Sequence, residues 1–284
     1  MRGFAFFVSF LVCSFSIAEQ RCESAPDASR IAVAGGSITE MLYFLGEEER
    51  IVAVDRTSNY PEQALELPQI GYVRGLSAEG LLSLKPTLIL GEDDMGPPEV
   101  LSQLSQTGVD TVRVEEDHTA QGIVNKLRCV ANVLALEDAD LEIAEAKLAA
   151  QLSALQSVAA RDQSPTAIVV LVFQEGAAIA GGVNTAADGV LKMAGVKNAL
   201  SGIEGWKPIS AESLIKANPD YLILTHRAVG TAGGLDKIYQ NPGIRLSNAG
   251  RNKRLVQMDG MSLLGFGPRT LATALTLSEL TNSQ

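Results

Sequence analysis

Tyr60 stands at the end of a short loop, Asp55-Arg56-Thr57-Ser58-Asn59-Tyr60-Pro61, that follows the apolar run Ile51-Val52-Ala53-Val54. A residue ahead of proline is biased toward extended backbone, so the phenol can be held outward from the loop. A tyrosine phenolate is a hard anionic oxygen donor that suits ferric iron and serves as an axial ligand to haem iron. The same residue also reads as a turn tyrosine with its hydroxyl in water. Arg56, Arg74 and Arg227 stand in loops after or beside predicted strands. Guanidinium forks match carboxylates in pairs, so they can hold the acid groups of a ligand; singly, each reads as a solvated surface arginine. His226 follows the strand Tyr221-Leu222-Ile223-Leu224. Loops at the carboxyl ends of strands line the ligand crevice of an α/β sheet, so His226 would face that crevice from the second half. It is a candidate second axial ligand, a wall residue offering a hydrogen bond, or neither. Behind it, Gly230-Thr231-Ala232-Gly233-Gly234 reads as a mobile loop, and His118, in Glu115-Glu116-Asp117-His118, as a solvated side chain.

Catalytic sets are scarce. Gly35-Gly36-Ser37 at a helix start can cradle an anion, but it lacks the lysine and the spacing of a phosphate loop. No Gly-x-Ser-x-Gly elbow and no His-Glu-x-x-His pair occurs, and Asp93-Asp94 reads as loop solvation. With 46% hydrophobic and 20% charged residues over 284 positions, and a mean hydropathy of +0.14, the chain buries a real core and is not disordered. Lys and Arg number 23 against 33 Asp and Glu, a net charge of −10 with no basic run, which argues against a nucleic-acid partner. Two histidines and three cysteines leave little material for a zinc or iron–sulfur site.

The elements that must position these residues alternate strand and helix. Residues 1–18 form a secretory leader pattern: Arg2, an apolar stretch from Phe4 to Val12 and the small-x-small ending Ser16-Ile17-Ala18. Export makes cysteine pairing possible. If Cys13 leaves with the leader, Cys22 and Cys129 remain, either as a disulfide or as a tail thiol and a buried helical cysteine. Residues 19–29 are polar and read as a flexible lead-in. Ile31-Ala32-Val33-Ala34 is a buried strand, and Ser37-Ile38-Thr39-Glu40 matches a capping box opening a helix that stops at Gly46. Strands at 51–54, 87–90 and 111–114 alternate with helices near 77–84 and 98–107, which argues an α/β sheet with covered faces.

The second half repeats the first. Ser77-Ala78-Glu79-Gly80-Leu81-Leu82-Ser83-Leu84-Lys85-Pro86 lines up with Ser210-Ala211-Glu212-Ser213-Leu214-Ile215-Lys216-Ala217-Asn218-Pro219, and each stretch feeds an apolar strand. The strand, Gly35-Gly36 and helix of the first half are echoed by strand 167–173, Gly181-Gly182 and a helix through Val190–Gly195. Between the halves, Glu137 to Val158 carries no glycine or proline, and Leu141, Leu148, Leu152 and Leu155 share one helical face. The expected architecture is therefore two similar α/β lobes (30–136 and 164–284) joined by one long helix (137–160), a stiff spine that favours small closure motions over a wide hinge.

Five segments carry a family resemblance: Gly35–Glu40, Thr57-Ser58-Asn59-Tyr60-Pro61, Gly71–Gly80, Asn184–Asp188 and Leu264-Gly265-Phe266-Gly267-Pro268-Arg269. Spread over residues 31 to about 270, they make the chain resemble the periplasmic haem-binding proteins of bacterial ABC haem importers, which group with the cobalamin and ferric-siderophore binders. The resemblance implies a class III, helical-backbone periplasmic binding protein, a monomer that takes up haem b and serves an inner-membrane ABC permease dimer with its ATPase. It places Tyr60 where that family has its axial tyrosine, and Glu79 and Glu212 where each lobe has a glutamate that meets permease arginines. Some relatives hold two stacked haems or use a second-lobe histidine, so haem count and any role of His226 stay open. Cobalamin binders share the Ser-x-Tyr-Pro loop and the docking glutamates and are the alternative, as are ferric siderophores. Cobalamin would favour several cleft aromatics, and Trp206 is the chain's one tryptophan. An exported enzyme is the remote alternative and would need a catalytic set the sequence lacks.

Overall fold

The computed structural model describes residues 22–158, 164–174 and 177–282; the expected leader lies outside them. The first half runs β1 (Ile31–Ala34), α1 (Gly36–Leu45), β2 (Ile51–Val54), a hairpin of β3 (Gly71–Tyr72) and β4 (Gly75–Leu76), and α2 (Ala78–Ser83). It continues with β5 (Leu88–Glu92), α3 (Pro98–Leu104), β6 (Asp110–Val114) and α4 (Ala120–Val133). Helix α5 (Asp138–Val158) follows. The second half runs β7 (Thr166–Gln174), β8 (Ala177–Gly181), α6 (Ala186–Met193), β9 (Lys197–Asn198), β10 (Trp206–Ile209), α7 (Ala211–Ala217) and β11 (Tyr221–Thr225). Four short helices come next, α8 (His226–Ala232), α9 (Leu235–Gln240), α10 (Pro242–Leu246) and α11 (Asn248–Arg251). Strand β12 (Leu255–Met258), α12 (Gly260–Leu264) and α13 (Pro268–Asn282) close the chain.

Each half has its own sheet. The first has the order β2-β1-β5-β6 and is parallel throughout. The second has the order β10-β8-β7-β11-β12, with β9 also on β7; β7, β11 and β12 are parallel, and β8 and β10 antiparallel. The antiparallel β8 between β7 and α6 is where the second half departs from the strand–glycine–helix order of the first.

The repeat itself is present atom for atom at the helix starts. Ser77 caps α2 by accepting from the Gly80 N–H, and Ser210 caps α7 by accepting from the Ser213 N–H. At equivalent positions ahead of Pro86 and Pro219, Lys85 and Asn218 both turn left-handed, with φ of 50° and 41°. Each unit then feeds a strand paired on both sides by parallel neighbours, β5 by β1 and β6, and β11 by β7 and β12.

Helix α5 is 21 residues, about 32 Å at 1.5 Å per residue. Its Leu148 and Leu155 are buried and Leu141 and Leu152 pack against the same core. That core is shared: Ile31 and Leu88 of the first sheet, Leu127 of α4, Leu148 of α5, Val169 of the second sheet and Leu271 of α13 belong to one cluster. No helix among the described residues is long and apolar enough to cross a membrane.

Three local expectations give way. Ser37 and Glu40 do not form a capping box: α1 starts at Gly35 without a side-chain cap, Ser37 donates to Glu92 at 2.7 Å, and Glu40 pairs with Arg269. Partners from the tertiary structure outcompete the local one. Residues 22–29 are not a free lead-in, because Cys22 is joined to Cys129 of α4 by a disulfide and the Ala25 N–H donates to the Val133 carbonyl. The glycine-rich run after His226 is helical through Ala232; Thr225 caps α8, and Gly233, at φ 80°, ends it.

Candidate functional site

The loop that carries Tyr60 is pinned from below by Asp55. Its fully buried carboxylate accepts from the N–H groups of Gly35, Thr57 and Val73, each at 3.1 Å. It also accepts from the hydroxyls of Thr57 at 2.8 Å and Ser58 at 3.1 Å. Thr57 in turn accepts from the Gly36 N–H at 2.8 Å, and Ser58 shares a 2.7 Å hydrogen bond with Thr39 of α1. The Asp-x-Thr-Ser stretch is thus a hydrogen-bonded mount built on the start of α1 and the turn between β3 and β4. A Cβ on Gly36 would come within 2.6 Å of the Thr57 carbonyl oxygen, so α1 can approach the mount only with glycine there.

Two residues beyond the mount, Tyr60 is 45% exposed. The guanidinium carbon of Arg269, at the start of α13, lies 3.7 Å from the centre of its ring. Arg269 is held by Glu40, Nε to Oε2 at 3.0 Å and Nη2 to Oε1 at 2.5 Å, with Nη1 at 3.4 Å from Asp259 Oδ1. Burial pushes the Glu40 carboxyl up, against the pull of Arg269. A cavity of about 810 Å³ opens beside Tyr60, walled by Tyr43 and Phe44 of α1, Lys147 and Leu148 of α5, and Arg269 and Ala272 of α13. Its size falls in the range of small-molecule and cofactor sites. The Lys147 ammonium stands 5.3 Å over the Phe44 ring and, with Arg269, puts a second cation on a wall that also carries Glu40 and Glu48.

A second polar cluster ties the first half to the segment ahead of α13. The wholly buried Lys126 ammonium of α4 donates to Glu116 at 2.5 Å, Ser37 Oγ at 3.2 Å and the Gly265 carbonyl at 3.4 Å. Burial pushes the Glu116 carboxyl up to about 7, with Lys126 opposing and Glu92 and Asp94 adding to the shift. Burial likewise raises Glu92. His118 is not solvated: it is half-buried with its ring 4.8 Å from that of Phe266, and burial pushes its pKa down.

Of the residues singled out from the sequence, Tyr60 lines the cavity; Arg56, Arg74, Arg227 and His226 stand elsewhere. Arg56 is exposed and follows Asp55 directly. Arg74, between β3 and β4, is exposed and engaged with Asp94 and the Tyr72 hydroxyl. His226 and Arg227 open α8, both exposed. Glu79 and Glu212 sit exposed in the first turns of α2 and α7. Three residues that sequence reasoning passed over organise the site: Asp55, Glu40 and Arg269. An aspartate closing a strand ahead of Thr-Ser was a legible signal for the first. The other two are partners 229 positions apart.

Known proteins of similar sequence and fold are binding proteins for haem and vitamin B12. The periplasmic haem-binding protein RhuT from Roseiflexus sp. RS-1, in apo form, is 34% identical with a TM-score of 0.84, over 90% of this chain and 99% of that one. The periplasmic haem-binding protein BhuT, in complex with two haems, is 35% identical with a TM-score of 0.82, over 89% of this chain and 98% of that one. The vitamin B12-binding protein of Vibrio cholerae is 29% identical over 126 residues, 44% of this chain and 45% of that protein. The family profile described as periplasmic binding protein matches residues 31–261, which takes in both sheets, α5 and the Tyr60 mount. The chain belongs to the periplasmic binding protein family.

Proposed function

We infer that this chain is an exported haem carrier. It takes haem b between its lobes and hands it to an inner-membrane ABC permease dimer with its ATPase. Tyr60 carries this reading: an exposed phenol on a loop immobilised through Asp55, in a chain that aligns along nine-tenths of its length with RhuT. A haem needs one strong oxygen or nitrogen donor, flat apolar contact and cations for its two propionates. Tyr60 would be the donor, and Phe44 and Leu148 offer apolar contact beside it. Arg56, Arg74 and Arg227 are the proposed propionate partners, Arg74 by exchanging Asp94 for the ligand. His226 is a proposed second ligand, reachable if a second haem stacks on the first, as two haems are bound in BhuT.

Glu79 and Glu212 are the proposed permease contacts, one per lobe, because the repeat presents the same exposed carboxylate at the same place on α2 and α7. The proposed division is a leader at 1–18, lobes at 30–136 and 164–284, and a spine at 137–160. The carrier works in the periplasm as a monomer, by binding and not by turnover. Cobalamin is the second reading, favoured by the vitamin B12-binding relative.

An absorption titration of the purified mature protein with hemin, beside Tyr60→Ala and a parallel cobalamin titration, tests both. A saturable spectrum of tyrosinate-ligated ferric haem, weakened at least tenfold or replaced in the mutant, supports the haem reading, and its endpoint counts the haems. Saturation by cobalamin without a response to hemin overturns it.

A further inference from the structure

We propose that Arg269 is a positioning residue for Tyr60, a planar cationic rest that fixes the ring from the opposite lobe's side of the molecule. The inference rests on the reading of Tyr60 as the haem ligand.

Glu40 takes the guanidinium by its edge, through Nε and Nη2, and Asp259 approaches Nη1 at 3.4 Å. Bonds in the guanidinium plane leave its faces free, and one face lies 3.7 Å from the centre of the Tyr60 ring. The Asp55 mount ends at Ser58, and Tyr60 is 45% exposed, so the hydrogen bonds of the loop do not by themselves fix the ring. The face of Arg269 does.

The surroundings are built to hold that face still. Glu40 is 4% exposed at its side chain, on a helix packed against α13. A Cβ on Gly267 would come within 3.2 Å of Glu40 Oε2, so Gly267-Pro268-Arg269 closes tightly over the carboxylate. Phe266 just before it is fully buried with φ 50°, which aims the segment. A simple tie between α1 and α13 needs only the edge contacts. The stacked face is an additional feature, and it sits under the residue proposed as the iron's oxygen donor. A guanidinium also keeps its charge at every physiological pH, so a phenolate formed on iron ligation meets a permanent cation. A lysine would supply the charge without the plane.

The test uses the full mature chain with Arg269→Met and Arg269→Lys, Tyr60→Phe serving to assign the Tyr60 resonance. In the ligand-free protein, the Tyr60 ring signals are followed by NMR with labelled tyrosine. In the hemin-loaded protein, the tyrosinate charge-transfer band and the haem dissociation rate are followed. Arg269→Met should move the Tyr60 signals toward those of free tyrosine, shift the band and speed haem loss about tenfold, between the weights of an exposed and a desolvated cation–π contact. Arg269→Lys should restore the dissociation rate in part and the ring signals not at all. Should Arg269→Met not fold, the lysine variant decides alone on the ring signals. Unchanged Tyr60 signals in either folded variant, or a lowered Tm with an unchanged haem band, overturn the proposal. If wild-type protein fails to take hemin, the cargo reading falls, and the ligand-free signals still decide whether Arg269 positions Tyr60.

Discussion

Glu116 and Lys126 show how much of this site's chemistry is bought by burial. The Glu116 carboxyl, ordinarily near 4.5, sits at about 7 because burial disfavours its charge more than Lys126 favours it. Between these values the folded chain holds a proton that the unfolded chain has released. Acidification through that window therefore stabilises the fold, and raising the pH through about 7 costs stability. Glu92 and Glu40, both raised by burial, push in the same direction. Tm measured from pH 5 to 8 should fall toward the alkaline end, and Glu116→Gln should flatten that slope; an unchanged slope would assign it to other groups. At this scale the sequence was legible where one residue's neighbours declare it. Tyr60 is such a case, between a strand end and a proline. Arg269 is not, since nothing near it in sequence announces Glu40, and Ser37 and Glu40 looked like a local cap because their true partners come from β5 and α13.

At the level of elements, spacing and punctuation read well. The parallel strands, α1 with its Gly46 stop, and α5 all fall where periodicity put them. Helix α4 carried a signal that went unread: Ile123, Leu127, Val130 and Leu134 recur at helical spacing behind Thr119, which caps the Gly122 N–H, and all four are buried. The glycine-rich run after His226 misled instead, since glycine signals a loop unless a cap on each side recruits it. The Cys22–Cys129 disulfide binds α4 to the start of the chain across 107 residues. Cross-linking so large a loop restricts the unfolded chain, so replacing both cysteines by alanine should cost about 2–4 kcal/mol. Denaturant unfolding with and without reductant would measure it, and reductant should leave the double mutant unmoved.

For the whole molecule, the internal repeat was the most legible feature, because serine, alanine, glutamate, leucine and proline recur at one offset, and the backbone answers twice with a serine cap and a left-handed turn ahead of the proline. What the alignment of halves did not convey is the inserted β8, which only pairing with β7 and β10 creates. The repeat places Glu79 and Glu212 on matched helix starts, as a two-fold permease would require. Glu79→Ala with Glu212→Ala should leave hemin binding intact and cut uptake into permease vesicles at least tenfold. Undiminished uptake would refute the proposed docking role of both.

The core described above draws on both sheets, α5 and α13 at once. Neither half, cut free, would keep a complete interior. Each lobe also has a cluster of its own, around Leu222 and Ile244 in the second and around Ile89 and Leu104 in the first, but the shared cluster should make the two lobes unfold as one unit. Calorimetry should record one endotherm, and either half expressed alone should resemble a molten globule, with helices and strands present and no fixed packing. Two resolved endotherms would show that the separate clusters suffice to hold each lobe without the shared one.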